Sequence, residues 1–160
     1  MRLEMSFDIL WGDSKNPELR YHLNAFVEKS IGGSGFGFGN SSAMGIFDDH
    51  QFIAAVVFHN WEPRAGVMEM SAASLSKRWL TRPVLQRMFG YVFGDVGCQM
   101  VVMRVSERNV GMVRIARAYG FSEVLIPRLR GREEGEFIFT YTDDDWRTSR
   151  FNSKALRLSH

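Results

Sequence analysis

The sequence predicts one α/β (α+β) domain built on a central mixed, mostly antiparallel sheet. Three observations carry that prediction. Three apolar runs lie between Ala43 and Ala73, separated by short polar turns, which is the pattern of a meander. An apolar helix pattern with Leu85, Met88, Phe89 and Val92 on one face is followed by a Val-rich run, Met100 to Val105, too short for a helix. A helix between two strands makes a crossover, so Val67 to Ala73 and Met100 to Val105 are expected to be parallel neighbours. The third is Asn109 to Phe121, NVGMVRIARAYGF, which reads as a short helix with both ends marked. Asn109 can accept from an unpaired N–H of the first turn, and Gly120 suits the left-handed residue that ends a helix. Met112, Ile115, Ala116 and Tyr119 have the spacing of its buried face.

The elements follow in order. Met5 to Trp11 is a short apolar strand before a Gly-Asp turn. Pro17 to Ile31 reads as a helix capped by Asn16, with Leu19, Leu23, Phe26 and Val27 on one face. Six glycines then fall between Gly32 and Gly45. No strand feeds this stretch and no Lys-Ser/Thr follows it, so it reads as a connection rather than a phosphate loop, with Phe36 and Phe38 covering the core or a cleft. Ala43 to Phe47 and Phe52 to Trp61 form a hairpin across a four-residue turn, Asp48 to Gln51. Pro63 to Gly66 turn the chain into Val67 to Ala73. A polar loop, Ser74 to Arg82, leads to the helix opened by Pro83, which ends near Gly94 and Gly97. After the capped helix, Val124 to Ile126 and Glu136 to Thr142 read as a final strand pair around a connector rich in Arg and Glu. Residues 1–145 are assigned to the domain and 146–160 to a basic tail, which Trp146 and Phe151 dock.

At 160 residues, 45% of them apolar, the chain is long enough to bury a core, and no repeat or second domain is visible. A net charge of +2 calls for neither nucleic acid nor a membrane surface. Cys98 is the sole cysteine, so no internal disulfide can form, and four scattered histidines lack metal-ligand spacing. No signal peptide and no apolar run near the ~20 residues of a membrane span are present, which makes the cytoplasm the expected compartment. A homodimer is left open.

Strand, polar turn (Ser106, Glu107, Arg108), Asn-capped helix and Gly-Phe together resemble the GNAT acetyltransferase superfamily, in which this helix is the fourth of the fold. The order of elements from Ala43 to Thr142 matches as well. RWLTR (Arg78 to Arg82) with GYVFGDVGCQ behind it also looks like acetyltransferase-like proteins of phages and prophages. The resemblance implies helices on both faces of the sheet, and two parallel strands that diverge at their C-terminal ends. It implies acetyl-CoA as co-substrate, no metal, and an amine acceptor. It assigns the end of the third meander strand (Ser71, Ala72, Ala73) and the loop Lys77, Arg78, Trp79, Leu80, Thr81 and Arg82 to acetyl-CoA. Asn109 and Met112 would lie beside its pantetheine arm. Two departures stand out. Leu80 and Arg82 occupy the family's glycine positions in the pyrophosphate loop. Ala116 occupies the position, seven residues after the Asn, of the frequent general-acid Tyr. Tyr119 is three residues further on, about 300° around the helix.

Acetyl transfer from a thioester to an amine needs a neutral amine, a polarised carbonyl and a proton for the leaving thiolate. Glu69, an acid in an otherwise apolar strand, is the candidate base, or an outward-facing strand residue. His59 is a second base candidate, or a satisfied histidine. Tyr119 is the candidate acid, or a core aromatic, and Ser106 could orient the thiol. Trp61 and Trp79 either close over a ligand or cover the core. The function expected is an acetyl-CoA-dependent N-acetyltransferase. Two alternatives are a GNAT-scaffold binding or assembly protein without catalysis and an acetyltransferase acting on a nucleic-acid-linked amine such as aminoacyl-tRNA, for which the basic tail is the one supporting feature.

Overall fold

The computed structural model describes residues 7–33, 35 and 37–152. Met5, Phe36 and the tail from residue 153, on which some sequence expectations rest, lie outside these. The described chain forms one seven-stranded mixed sheet and four helices. The strands are β1 (Phe7–Gly12), β2 (Ser41–Asp48), β3 (Gln51–Glu62), β4 (Val67–Ser74), β5 (Met100–Ser106), β6 (Ser122–Ile126) and β7 (Glu136–Thr142). The helices are α1 (Pro17–Ser30), α2 (Arg82–Phe89), α3 (Val110–Ala118) and α4 (Asp143–Arg147). The strand order is β1-β2-β3-β4-β5-β7-β6. Pairing is antiparallel for β1–β2, β2–β3, β5–β7 and β6–β7 and parallel for β4–β5, as the crossover requires. The β4–β5 register pairs Val67–Glu69 with Met100–Val102, while the strands run on to Ser74 and Ser106.

The chain packs as two compact units. One comprises Met1–Asn60 and Ser71–Met88, the other Trp61–Met70 and Phe89–His160. In the first unit, Asn16 caps α1 by accepting from the Leu19 amide, and Leu23 and Val27 bury against Ala43, Ala55, Val57 and Ala73, with Leu19 and Phe26 at the margin. The sheet surface beneath the helix is made of small residues. A Cβ on Gly45 would stand 3.1 Å from a Leu23 methyl, and one on Gly12 only 2.4 Å from the Arg20 backbone nitrogen, so α1 lies on these two strands at glycine distance. The β2–β3 turn is two residues, Asp49 and His50, not four, and both have positive φ (50° and 70°). Tight hairpins demand that conformation, which an Asn-Gly pair would have announced and Asp-His does not. Phe38 packs on this core as expected.

In the second unit, the chain after Phe89 does not stop at an α-helical end. Gly90–Asp95 form a π-helical turn, with the Val96 amide bonded to the Tyr91 carbonyl at 2.9 Å. Phe89 centres an aromatic cluster, with Tyr141 at 5.1 Å and Trp146 at 4.9 Å between ring centroids. Trp146 belongs to α4, whose capping box pairs Thr142 with Asp145, so ordered structure crosses residue 145. The deeply buried residues of α3 are Val113 and Ala116, whereas Met112, Ile115 and Tyr119 are half-buried. The buried stripe is thus rotated by one position from the one the sequence suggested.

Candidate active site

In the first unit, the loop after β4 leads into α2 through Thr81. The Thr81 hydroxyl accepts from the Val84 amide at 3.4 Å, and its carbonyl accepts from Leu85 at 3.0 Å. Pro83 has no N–H. The backbone donors that usually make a helix start an anion site are therefore largely used within the chain. What remains is side-chain charge. Lys77, Arg78 and Arg82 are exposed, and none makes an ion pair with a described residue. Trp79 is buried, 3% exposed, and anchors the loop from beneath, whereas Trp61, which belongs to the second unit, is 55% exposed. Leu80 and Thr81 are half-buried.

β4 carries a second feature. His59 Nε2 and Ser71 Oγ lie 2.9 Å apart, both side chains are buried, and the Phe38 ring sits 4.7 Å from the imidazole. A histidine in an apolar strand reads from sequence as either satisfied or functional. Its partner here comes from the next strand, at a position that composition alone does not mark. Ala73 points into the core under α1, so only its backbone is available to a ligand. Ala72 is half-buried. A separate cleft of about 740 Å³ lies between α1 and the glycine-rich connection, lined by Arg20, Glu28 and Lys29 among others.

In the second unit, Glu69 is half-buried in the middle of β4, opposite Val102 of β5. After β5 the chain turns into α3 through Asn109, whose Oδ1 accepts from the Met112 amide at 3.2 Å. That bond leaves the exposed Asn109 Nδ2 as a donor and removes the Met112 N–H. Tyr119 follows the last turn of α3, its ring edge-on to Phe151 at 4.6 Å. Partial burial raises the Tyr119 phenol above its ordinary value, so it stays protonated at neutral pH. Ala116, at the position of the family's tyrosine, is fully buried. Cys98 is buried too, and its thiol is pushed up by desolvation, which fits an inert side chain.

Ser106 is engaged. Its hydroxyl donates to the Glu134 carboxylate and accepts from the Arg108 amide at 3.1 Å. Glu134 also meets Arg108 at 3.2 Å and Arg130 at 3.3 Å. Glu136, 1% exposed, is held between Arg104 and Arg130. This network ties the β6–β7 connector to the end of β5. The sequence marked the connector as rich in Arg and Glu without showing which residues join.

These features can be set beside solved structures. The chain covers 96% of its own length and 97% of the spermidine/spermine N-acetyltransferase of Vibrio cholerae crystallised with manganese ions, at TM-score 0.62 and 14% identity. Against the spermidine N-acetyltransferase of the same organism in complex with CoA and spermine, TM-score is 0.67 at 11% identity, over 87% of this chain and 96% of that one. A GCN5-related N-acetyltransferase from Brucella melitensis matches at TM-score 0.60 and 17% identity, over 72% of this chain and 56% of that one. The chain has the GNAT fold. No protein-family model matches the sequence, and no curated protein matches it. At these identities the likeness lies in the architecture, so the roles of individual residues rest on their own geometry.

Proposed function

We propose that the chain is an acetyl-CoA-dependent N-acetyltransferase that moves acetyl directly from the thioester to a primary amine. The observation that carries this reading is the set of three exposed cations, Lys77, Arg78 and Arg82, on the loop that opens α2, none of them in an ion pair with a described residue. Acetyl-CoA brings a pyrophosphate and a 3′-phosphate. In this chain guanidinium groups take the place of close backbone approach, because they bind phosphate oxygens in pairs. Thr81 holds the start of the helix while the charges bind. Glu69 takes the proton of the attacking amine, directly or through a water. Asn109 Nδ2 donates to an amide carbonyl of the pantetheine arm, and Tyr119 returns a proton to the departing thiolate. Ser106, bonded to Glu134, positions the connector rather than the thiol. The spermine of the Vibrio cholerae complex is not carried over as acceptor. The cleft beside α1 sets Arg20 and Lys29 against one acid, Glu28, and a polycation needs the reverse balance.

A second reading is a GNAT scaffold without catalysis. The buried Ala116 and the side chains at the two glycine positions favour it. Calorimetry with acetyl-CoA separates the two. The catalytic reading expects wild-type binding and a loss of roughly 1–3 kcal/mol for each of Arg78→Ala and Arg82→Ala, the range for charge-assisted bonds. That loss shrinks as salt rises. Glu69→Gln keeps acetyl-CoA affinity but loses turnover on a panel of primary amines by ~10²–10⁴-fold. No wild-type binding supports the scaffold. Wild-type affinity in the double arginine variant sinks the cation cradle.

A further inference from the structure

Among the described residues, strand β6 ends the sheet at one edge. It pairs with β7 on one side, Ser122 opposite Thr140 through Ile126 opposite Glu136, without a register shift. All five of its residues are exposed. Val124 is 61% exposed, Leu125 44% and Ile126 38%, and Leu129 just beyond is 41% exposed. Three consecutive aliphatic residues open on both faces of an edge strand are unusual, because edges normally carry a lysine, a proline, a bulge or an inward charge to block pairing. β6 has none of these within its length, and its one charged side chain, Glu123 near the start, is paired with Arg117. Its one proline, Pro127, follows the strand.

We propose that β6 pairs antiparallel with β6 of a second copy of this chain, so that two sheets join across a two-fold axis. The strand is complementary to itself in that arrangement. A two-fold axis perpendicular to the sheet sets side chains of the same face opposite each other. The register centred on Leu125 keeps all three aliphatic residues in the ladder. Leu125 then faces its own copy, Val124 faces Ile126 of the copy, and Glu123 reaches the copy's Pro127 and Arg128.

The charges agree with this direction. The acid, Glu123, lies at the start of the strand, held by Arg117 through both carboxylate oxygens at 2.8 and 2.9 Å. Arg128 lies past the end, exposed, with its guanidinium bonded to no described residue. Antiparallel pairing brings acidic and basic ends together twice, whereas parallel pairing stacks like on like. Arg128 has φ 67°, which turns the chain out of the strand and limits the ladder to a few residues. Each copy uses its β6 edge once, so the contact closes as a pair and does not propagate. A ladder this short belongs at the small end of specific interfaces, and the dimer depends on concentration.

Sedimentation velocity of the full chain tests this without reference to enzymatic activity. The expected result is a rise from the 18.4 kDa monomer towards twice that mass as concentration rises. Leu125→Arg should remain monomeric throughout, with the melting temperature of the dilute, monomeric wild type because the side chain is exposed. Leu125→Cys should form a disulfide-linked dimer at least tenfold faster than Trp61→Cys, an exposed control, since the native Cys98 is buried. A wild-type monomer at every concentration overturns the proposal. So does a dimer that survives Leu125→Arg, or equal cross-linking of the two cysteine variants.

Discussion

Asn109 shows how one side chain can serve the fold and a ligand at once. Its Oδ1 caps α3 by accepting from Met112, and its Nδ2 stays exposed. Aspartate caps a helix as well as asparagine does but has no N–H to donate. Asn109→Ala is therefore expected to cost about 1 kcal/mol of stability. Asn109→Asp should keep the melting temperature, and both variants should bind acetyl-CoA more weakly. Thermal melts and calorimetry on the pair check this. Wild-type affinity in Asn109→Asp would leave the residue a cap alone. The cap was legible from sequence because the residue, its spacing to the apolar face and the Gly120 stop are all local. The roles of Ser106, Ala116 and Glu136 were not. Each depends on what returns from a distant element: Glu134 onto Ser106, the core onto Ala116, and Arg104 and Arg130 onto Glu136.

Among the elements, the β6–β7 connector is fastened by charge. The Ser106 hydroxyl, helped by Arg108 and Arg130 and opposed by partial burial, holds the Glu134 carboxyl below its ordinary value of 4.5. A carboxyl whose folded value is depressed adds stability that is fully present above the unfolded value and is lost as pH falls through the folded one. Melting temperatures of the wild type and of Glu134→Gln should therefore differ by a constant amount above about pH 4.5 and converge below it. A difference that does not change with pH would remove the carboxylate from the clamp. The meander and the strand–helix–strand unit were readable because alternation and helical period are properties of short windows. The π-helical turn after Phe89 and the two-residue turn at Asp49 and His50 were not. Both depend on backbone conformations that these residue types do not announce.

The whole molecule poses a question about cooperativity, since its contacts divide into two units. Independent domains meet at linkers. Here the chain passes between units inside β3 (Asn60 to Trp61), inside β4 (Met70 to Ser71) and inside α2 (Met88 to Phe89). None of these three passages is a linker. An element cannot melt on one side of such a passage without losing hydrogen bonds and packing on the other, so both units should unfold together. Calorimetry should show a single transition whose van 't Hoff and calorimetric enthalpies agree. Acetyl-CoA adds a second handle on the same measurement. A ligand that binds only the folded chain stabilises it by about 2.7 kcal/mol at a hundredfold excess over its dissociation constant. For a chain of this length that shifts the melting temperature by roughly 5–10 °C. The full peak should move as one, because a ligand that stabilises any part of a cooperative structure stabilises all of it. Two resolved peaks, with only one responding to acetyl-CoA, would mean that the units fold separately.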